Sequence, residues 1–232
     1  MAQPHMIRRA TLVLFTAAIV LAGLVPATAE PLFPELDYGL LVILAAAAAT
    51  ASGLAWARTG PAQMVPVATV ARASALWAGC AVALAASLVA VATDAQTLEL
   101  RNLVAAQQNT SLYALQQPVA ATVFVLALAL AGDDSALQAA FGQPSRPREA
   151  SLLTAVLASG ALGATVFLGG YAGPALPAPL WLALKSVFLA GVVVMARGAL
   201  RRLPDERRVL LAWTLVPVAA LNLVVTMGVL TG

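Results

Sequence analysis

The sequence predicts an all-α fold, a polytopic membrane helix bundle with about seven transmembrane helices and a cytoplasmic N-terminus. Three observations carry that prediction. Of 232 residues, 61% are hydrophobic and only 10% charged, against about a quarter charged in an ordinary soluble domain; a mean hydropathy of +0.90 leaves too few charged side chains to clothe a water-facing surface. The apolar residues gather into stretches near the ~20 residues needed to cross a hydrocarbon core. The charges fall between those stretches with a strong bias to one side.

The stretches run roughly from Ala10 to Ala29, Gly39 to Ala57, Ala73 to Thr93, Pro118 to Ala131, Ser151 to Gly170, Pro179 to Ala196 and Val209 to Leu230, and form one integral membrane domain over 1–232. The fourth is short, so its helix is expected to start inside the preceding polar stretch near Leu112, giving a span of 112–131. Helix is the expected state throughout. The Ala- and Leu-rich composition lacks the alternation of barrel strands, and an isolated strand cannot satisfy its backbone in lipid. For the first stretch, Arg8-Arg9, an apolar core and Ala27-Thr28-Ala29 before Glu30 also fit a cleavable signal peptide.

With the N-terminus inside, the inner segments hold eleven arginines against five acids, a net +6, while the outer ones hold only Arg101 against five acids, a net −4. Lys185, within the sixth stretch, completes the total of +3. This is the positive-inside pattern, and it accounts for the basic pI without nucleic acid. Cleaving the first stretch would leave the remaining orientation unchanged. The connectors Asp94 to Gln117, rich in Gln and Asn, and Gly132 to Ala150 are the longest polar segments.

Few residues offer chemistry. The sequence has no phosphate-binding glycine loop and no metal-ligand spacing. Its single cysteine, Cys80, and single histidine, His5, leave no nucleophile with a base beside it. Lys185 stands about six residues inside its span; an ammonium there either faces a partner or a water-filled cavity, or snorkels to the interface. Arg72, at the mouth of the third stretch, is an inner anchor or part of a site. The adjacent carboxylates Asp133 and Asp134 are either proton acceptors or a solvated turn after Gly132. Ser159 and Gly163 form a small-xxx-small pair suited to close helix contact. Pro217 is expected to bend the last helix, with Asn222 satisfying a freed backbone group or a neighbouring helix.

Toward the C-terminus the residues resemble a known family. Val166-Phe167-Leu168-Gly169-Gly170-Tyr171, Trp181-Leu182-Ala183-Leu184-Lys185, Ala196-Arg197, Arg202 with Glu206, Leu211-Ala212-Trp213, Pro217 and Leu221-Asn222-Leu223 resemble, in order and spacing, the end of the H subunit of NADH-quinone oxidoreductase, respiratory complex I. Upstream, Leu36 to Leu41, Arg72-Ala73-Ser74-Ala75, Ala106-Gln107-Gln108 and Gln117-Pro118 are similar to further parts of that family, and the resemblance spans about Ala10 to Leu230. It departs in its acids: Gly132-Asp133-Asp134-Ser135 stands where the family carries Glu-Thr-Asn-Arg, and Ala81 and Leu152 stand nearest the family's membrane glutamates. The resemblance also implies that the chain begins beyond the family's first helix and its quinone-site segment.

The resemblance implies a multi-pass subunit of a bacterial inner membrane that anchors a peripheral electron-transfer arm and contributes to quinone reduction coupled to proton translocation. On that reading quinone is a possible ligand, the flavin and iron–sulfur clusters sit on partner subunits, and the partners include antiporter-like and iron–sulfur subunits. Lys185, Arg72, Asp133 and Asp134 become candidates for a proton path or quinone-proximal positions, and Arg197, Arg202 and Glu206 for cytoplasmic docking. With its acids at the membrane edges, the chain is expected to be a poor proton path by itself. The alternatives are the anchoring subunit of a membrane-bound hydrogenase or formate hydrogenlyase, and a membrane scaffold without a redox role.

Overall fold

The computed structural model describes residues 67–131 and 146–231, and among these every regular element is helical. The helices are α1 (Val67–Ala95), α2 (Leu100–Asn109), α3 (Tyr113–Gln116), α4 (Pro118–Ala131), α5 (Arg146–Phe167), α6 (Ala178–Leu200) and α7 (Asp205–Thr231). Three are long and apolar enough to cross a membrane, over Ser74–Ala95, Ala178–Leu200 and Asp205–Val229; Pro118–Ala131 and Val156–Phe167 are shorter apolar helices. The stretches 10–29 and 39–57, and Asp133 and Asp134, lie outside the described residues.

α4 is the centre of the bundle. Its Val123, Ala127, Leu130 and Ala131 join Leu76, Cys80 and Ala83 of α1 and Ala212, Leu215 and Ala219 of α7 in one buried cluster. Its Ala120 and Phe124 join Leu88 and Val91 of α1, Leu162, Val166 and Phe167 of α5 and Leu189 of α6 in a second. The Phe124 and Phe167 rings meet tilted, with centroids 5.2 Å apart, a favourable aromatic geometry. α6 and α7 each pack on α4 and hardly touch one another.

Small residues set the closest approaches. A Cβ on Gly79 of α1 would lie 3.1 Å from the Ala212 carbonyl carbon of α7, and one on Gly160 of α5 would lie 2.7 Å from the Ser186 carbonyl oxygen of α6. Gly163 is covered by Leu189 and Phe124. The two glycines of α5 that admit α6 are therefore Gly160 and Gly163, three residues apart; Ser159, the expected partner of Gly163, is only half-buried. Without a strong hydrophobic drive between helices in lipid, such close contacts are a main source of association.

Arg72 at the start of α1 pairs with Glu206 at the start of α7, 3.4 Å apart, so these helices run parallel from a common end. Both side chains are more than half exposed, and such a pair contributes little stability. Arg197, Arg201, Arg202, Arg207 and Arg208 gather at this arginine end, around the turn between α6 and α7. At the opposite end, α2 packs against α5 and α1, and α3 leads into α4.

The region before α4 differs from the expected continuous helix. α3 stops at Gln116 and α4 starts at Pro118. Pro118 has no N–H to continue the helix, and its ring disfavours the helical conformation at the residue before it; Gln117 sits at φ −126°, ψ 65°. The polar connector is also more ordered than its composition implies. In α2, Leu100, Leu103, Val104 and Gln107 are buried at the i, i+3, i+4, i+7 spacing of an amphipathic face.

Candidate functional site

Two buried amides, Gln107 and Gln117, lie at the end opposite the arginines. Gln107 is 5% exposed. Its Nε2 donates to the Thr165 and Val166 carbonyls at 3.1 and 3.0 Å, and its Oε1 accepts from the Tyr113 N–H at 3.4 Å. Those carbonyls lie in the last turn of α5, where a helix has no further N–H to offer them. One side chain thus closes the end of α5, holds α2 against it and fixes the start of α3.

The chain reverses just beyond, at Gly169 and Gly170, both in the left-handed region at φ 71° and 48°. Glycine takes this conformation at little cost, and the Gly170 N–H closes back on the Ala164 carbonyl at 2.9 Å. A Cβ on Gly169 would lie 3.8 Å from Lys185 Nζ and 3.9 Å from Gln107 Oε1, which places the lysine and the amide around the same turn. A second amide relay lies nearby. Asn222 Nδ2 of α7 donates to Gln117 Oε1 at 3.4 Å, and Gln117 Nε2 donates to the Ala90 carbonyl of α1 at 3.5 Å. Of the two roles expected for Asn222, the structure shows the bond to a neighbouring element; α7 itself runs continuously through Pro217.

Lys185 turns toward the loop between α5 and α6. Its Nζ donates to the Ala172 carbonyl at 2.6 Å and stands 5.5 Å from the centroid of the Trp181 ring, within cation–π range. Trp181 in turn covers Gly173 at a distance that leaves no room for a Cβ. The loop is therefore tied to the first two turns of α6 by one carbonyl bond and one aromatic contact.

The remaining candidates lie elsewhere. Arg72 and Glu206 are paired at the arginine end. Arg197, in the last turn of α6, is half-buried, and Arg202, in the following turn, is exposed. α6 runs from the Lys185 loop to Arg197 and beyond, and twelve residues at about 1.5 Å rise put roughly 18 Å along the axis between those two positions. The bundle therefore separates Lys185 from Arg72, Arg197, Arg202 and Glu206. Between their first and last turns the described helices contain no carboxylate, and the buried amides can relay hydrogen bonds but cannot take up protons in the physiological range. Among the described residues no three His, Cys, Asp or Glu side chains group as metal ligands.

Gln107 and Gln117 carry this end of the molecule, yet composition shows only a polar connector there. The signal that could have found Gln107 is the apolar spacing of Leu100, Leu103 and Val104, which brings position 107 onto the same buried face.

Residues 1–133 match the family model for NADH dehydrogenase. The second H subunit of NADH-quinone oxidoreductase from Cereibacter sphaeroides is 30% identical over 225 residues, covering 90% of this chain and 71% of that protein. The chain belongs to the family of NADH-quinone oxidoreductase H subunits. The first H subunit of Rhodopseudomonas palustris is 29% identical over 231 residues with the same coverage, and the second H subunit of Syntrophobacter fumaroxidans is 32% identical over 155 residues, 60% of this chain and 46% of that one. The similarity to the Cereibacter protein extends through nine-tenths of the chain and so includes most of the described helices. The resemblance read from the C-terminal motifs is thereby established at the level of the family.

Proposed function

We propose that this H-subunit homologue is the multi-pass membrane subunit of a complex I-like NADH-quinone oxidoreductase in a bacterial inner membrane. It anchors the peripheral electron-transfer arm beside antiporter-like and iron–sulfur subunits, and it contributes to quinone reduction coupled to proton translocation. The observation that carries this reading is the collinear similarity to the Cereibacter H subunit over 90% of the chain. Flavin and iron–sulfur clusters belong to the partner subunits.

The charge distribution supports an orientation. The arginine end, with Arg72, Arg197, Arg202 and Glu206, faces the cytoplasm and the peripheral arm, and the end bearing Gln107 and Lys185 faces outward. Asp133 and Asp134, the proton acceptors suggested by the sequence, follow α4 and lie outside the described residues. Because the described helices carry no interior carboxylate, the chain works chiefly as an anchor, and the protons are carried mainly by its partners.

Purification from native membranes in a mild detergent tests the assignment. Flavin and iron–sulfur subunits are expected to co-purify in fixed ratio. A nickel–iron subunit in their place would assign the chain to a hydrogenase or formate hydrogenlyase, and migration alone would overturn both.

Lys185 has the position of an outer mouth to a proton route. Lys185→Met is expected to leave the complex assembled and NADH oxidation largely intact while lowering protons translocated per electron by a measurable minor fraction, read in proteoliposomes with a pH-sensitive dye. An unchanged ratio would leave Lys185 with the single task of holding the loop at Ala172.

A further inference from the structure

Lys185 is the only lysine of the chain, and what fixes its ammonium begins on another helix. A lysine carries a compact charge on a flexible four-carbon stem with three rotatable donors, so its direction is set by the acceptor it finds. That acceptor is the Ala172 carbonyl, 2.6 Å from Nζ. Ala172 is placed in turn by the reversal that follows α5. Its own N–H donates to the Gly169 carbonyl at 2.9 Å, and the Gly170 and Leu168 N–H groups both close on the Ala164 carbonyl, at 2.9 and 3.0 Å. The Thr165 and Val166 carbonyls of the same turn go instead to Gln107 Nε2. The second restraint on the ammonium, the Trp181 ring at 5.5 Å, packs on Gly173 of the same loop. Both contacts of Lys185 thus move with the backbone from Gly169 to Gly173, and Gln107 is the side chain that hydrogen-bonds the root of that loop to α2.

We propose that Gln107 is a positioning residue for Lys185. By holding the last carbonyls of α5 it fixes the root of the loop, the loop presents the Ala172 carbonyl, and that carbonyl aims the ammonium. Gln107 also borders the turn itself, since a Cβ on Gly169 would stand 3.9 Å from its Oε1 and 3.8 Å from Lys185 Nζ. The amide neither gains nor loses a proton in the physiological range, so its contribution is geometry alone. This role deepens, and rests on, the reading of Lys185 as the outer mouth of a proton route.

Acylation of Lys185 in the intact complex by the N-hydroxysuccinimide ester of acetate tests this, read from the mass of the peptide that carries the residue so that amines of other subunits do not interfere. Only an amine released from its carbonyl reacts, and a hydrogen bond to a charged group is worth on the order of tenfold. Gln107→Leu, which removes the amide, is expected to raise the acylation rate by on the order of tenfold. Gln107→Asn, which keeps the amide but shortens its reach, is expected to raise it by a smaller factor, and it carries the test where Gln107→Leu does not assemble. Gly79→Ala, whose new Cβ crowds Ala212 at the separate contact of α1 with α7, is expected to loosen the bundle without changing the rate. A wild-type rate in Gln107→Asn would overturn the proposal, and so would an equal acceleration in Gly79→Ala, because general loosening would then suffice. Protons translocated per electron, measured on the same preparations, separate the two readings of Lys185. Faster acylation with a lowered ratio supports both. Faster acylation with a wild-type ratio, in the Gln107 variants and in Lys185→Met alike, upholds the positioning and removes the proton route.

Discussion

Replacing Gln107 with leucine is expected to destabilise the folded chain by several kcal/mol through the loss of hydrogen bonds at the end of the bundle opposite the arginines. Leucine fits the apolar face formed by Leu100, Leu103 and Val104, so volume is nearly conserved and the loss is one of hydrogen bonding. The Thr165 and Val166 carbonyls and the Tyr113 N–H would lose the amide that serves all three. Each buried group left unpaired costs about 1–3 kcal/mol. Thermal unfolding in detergent measures the total, and hydrogen exchange locates it, with faster exchange expected in residues 100–117 and 165–172 and little change in α7. Wild-type stability in Gln107→Leu would mean that other groups or water close the end of α5.

Gly160→Ala is expected to loosen α5 from α6 at a cost of about 1–3 kcal/mol, the range for forcing extra volume into a packed contact. The added methyl would lie 2.7 Å from the Ser186 carbonyl oxygen. Because that atom belongs to the backbone, relief requires a shift of the whole helix. Gly191→Ala is the matched control, on the same pair of helices but with nothing within 4 Å of the new Cβ; it is expected to be neutral or slightly stabilising, since alanine is the better helix former. Equal melting temperatures for the two variants would remove close packing at Gly160 as the determinant of this interface.

The two residues differ in how far they can be recognised from sequence. Gly160 lies in a stretch whose small residues already announce close helix contact, but which of them faces α6 depends on the rotation of α5, and the structure chose Gly160 and Gly163 over Ser159. Gln107 lies in a Gln- and Asn-rich polar connector, and its burial follows only from α2 packing against the end of α5. Lys185 shows a third case. Its depth in the span is plain from counting residues, but the direction of its ammonium depends on a loop carbonyl thirteen residues earlier in the chain. Family membership, in contrast, was legible because it rests on order and spacing: Trp181 with Lys185, Arg202 with Glu206, and Pro217 with Asn222.

By itself the sequence determined the material and the sidedness: all-helical because no other backbone arrangement satisfies itself in lipid, apolar over segments long enough to cross it, and divided into an arginine-rich end and a poorer one. These are sums over many residues, and sums survive ignorance of contacts. Only the tertiary structure decided which polar groups are buried and what they hold. Pairing Gln107 with the end of α5, Gln117 with Asn222, and Arg72 with Glu206 joins residues separated by 58, 105 and 134 positions. Such pairings depend on where each helix ends and how far it is rotated, and the break at Gln117–Pro118 sets where α4 begins.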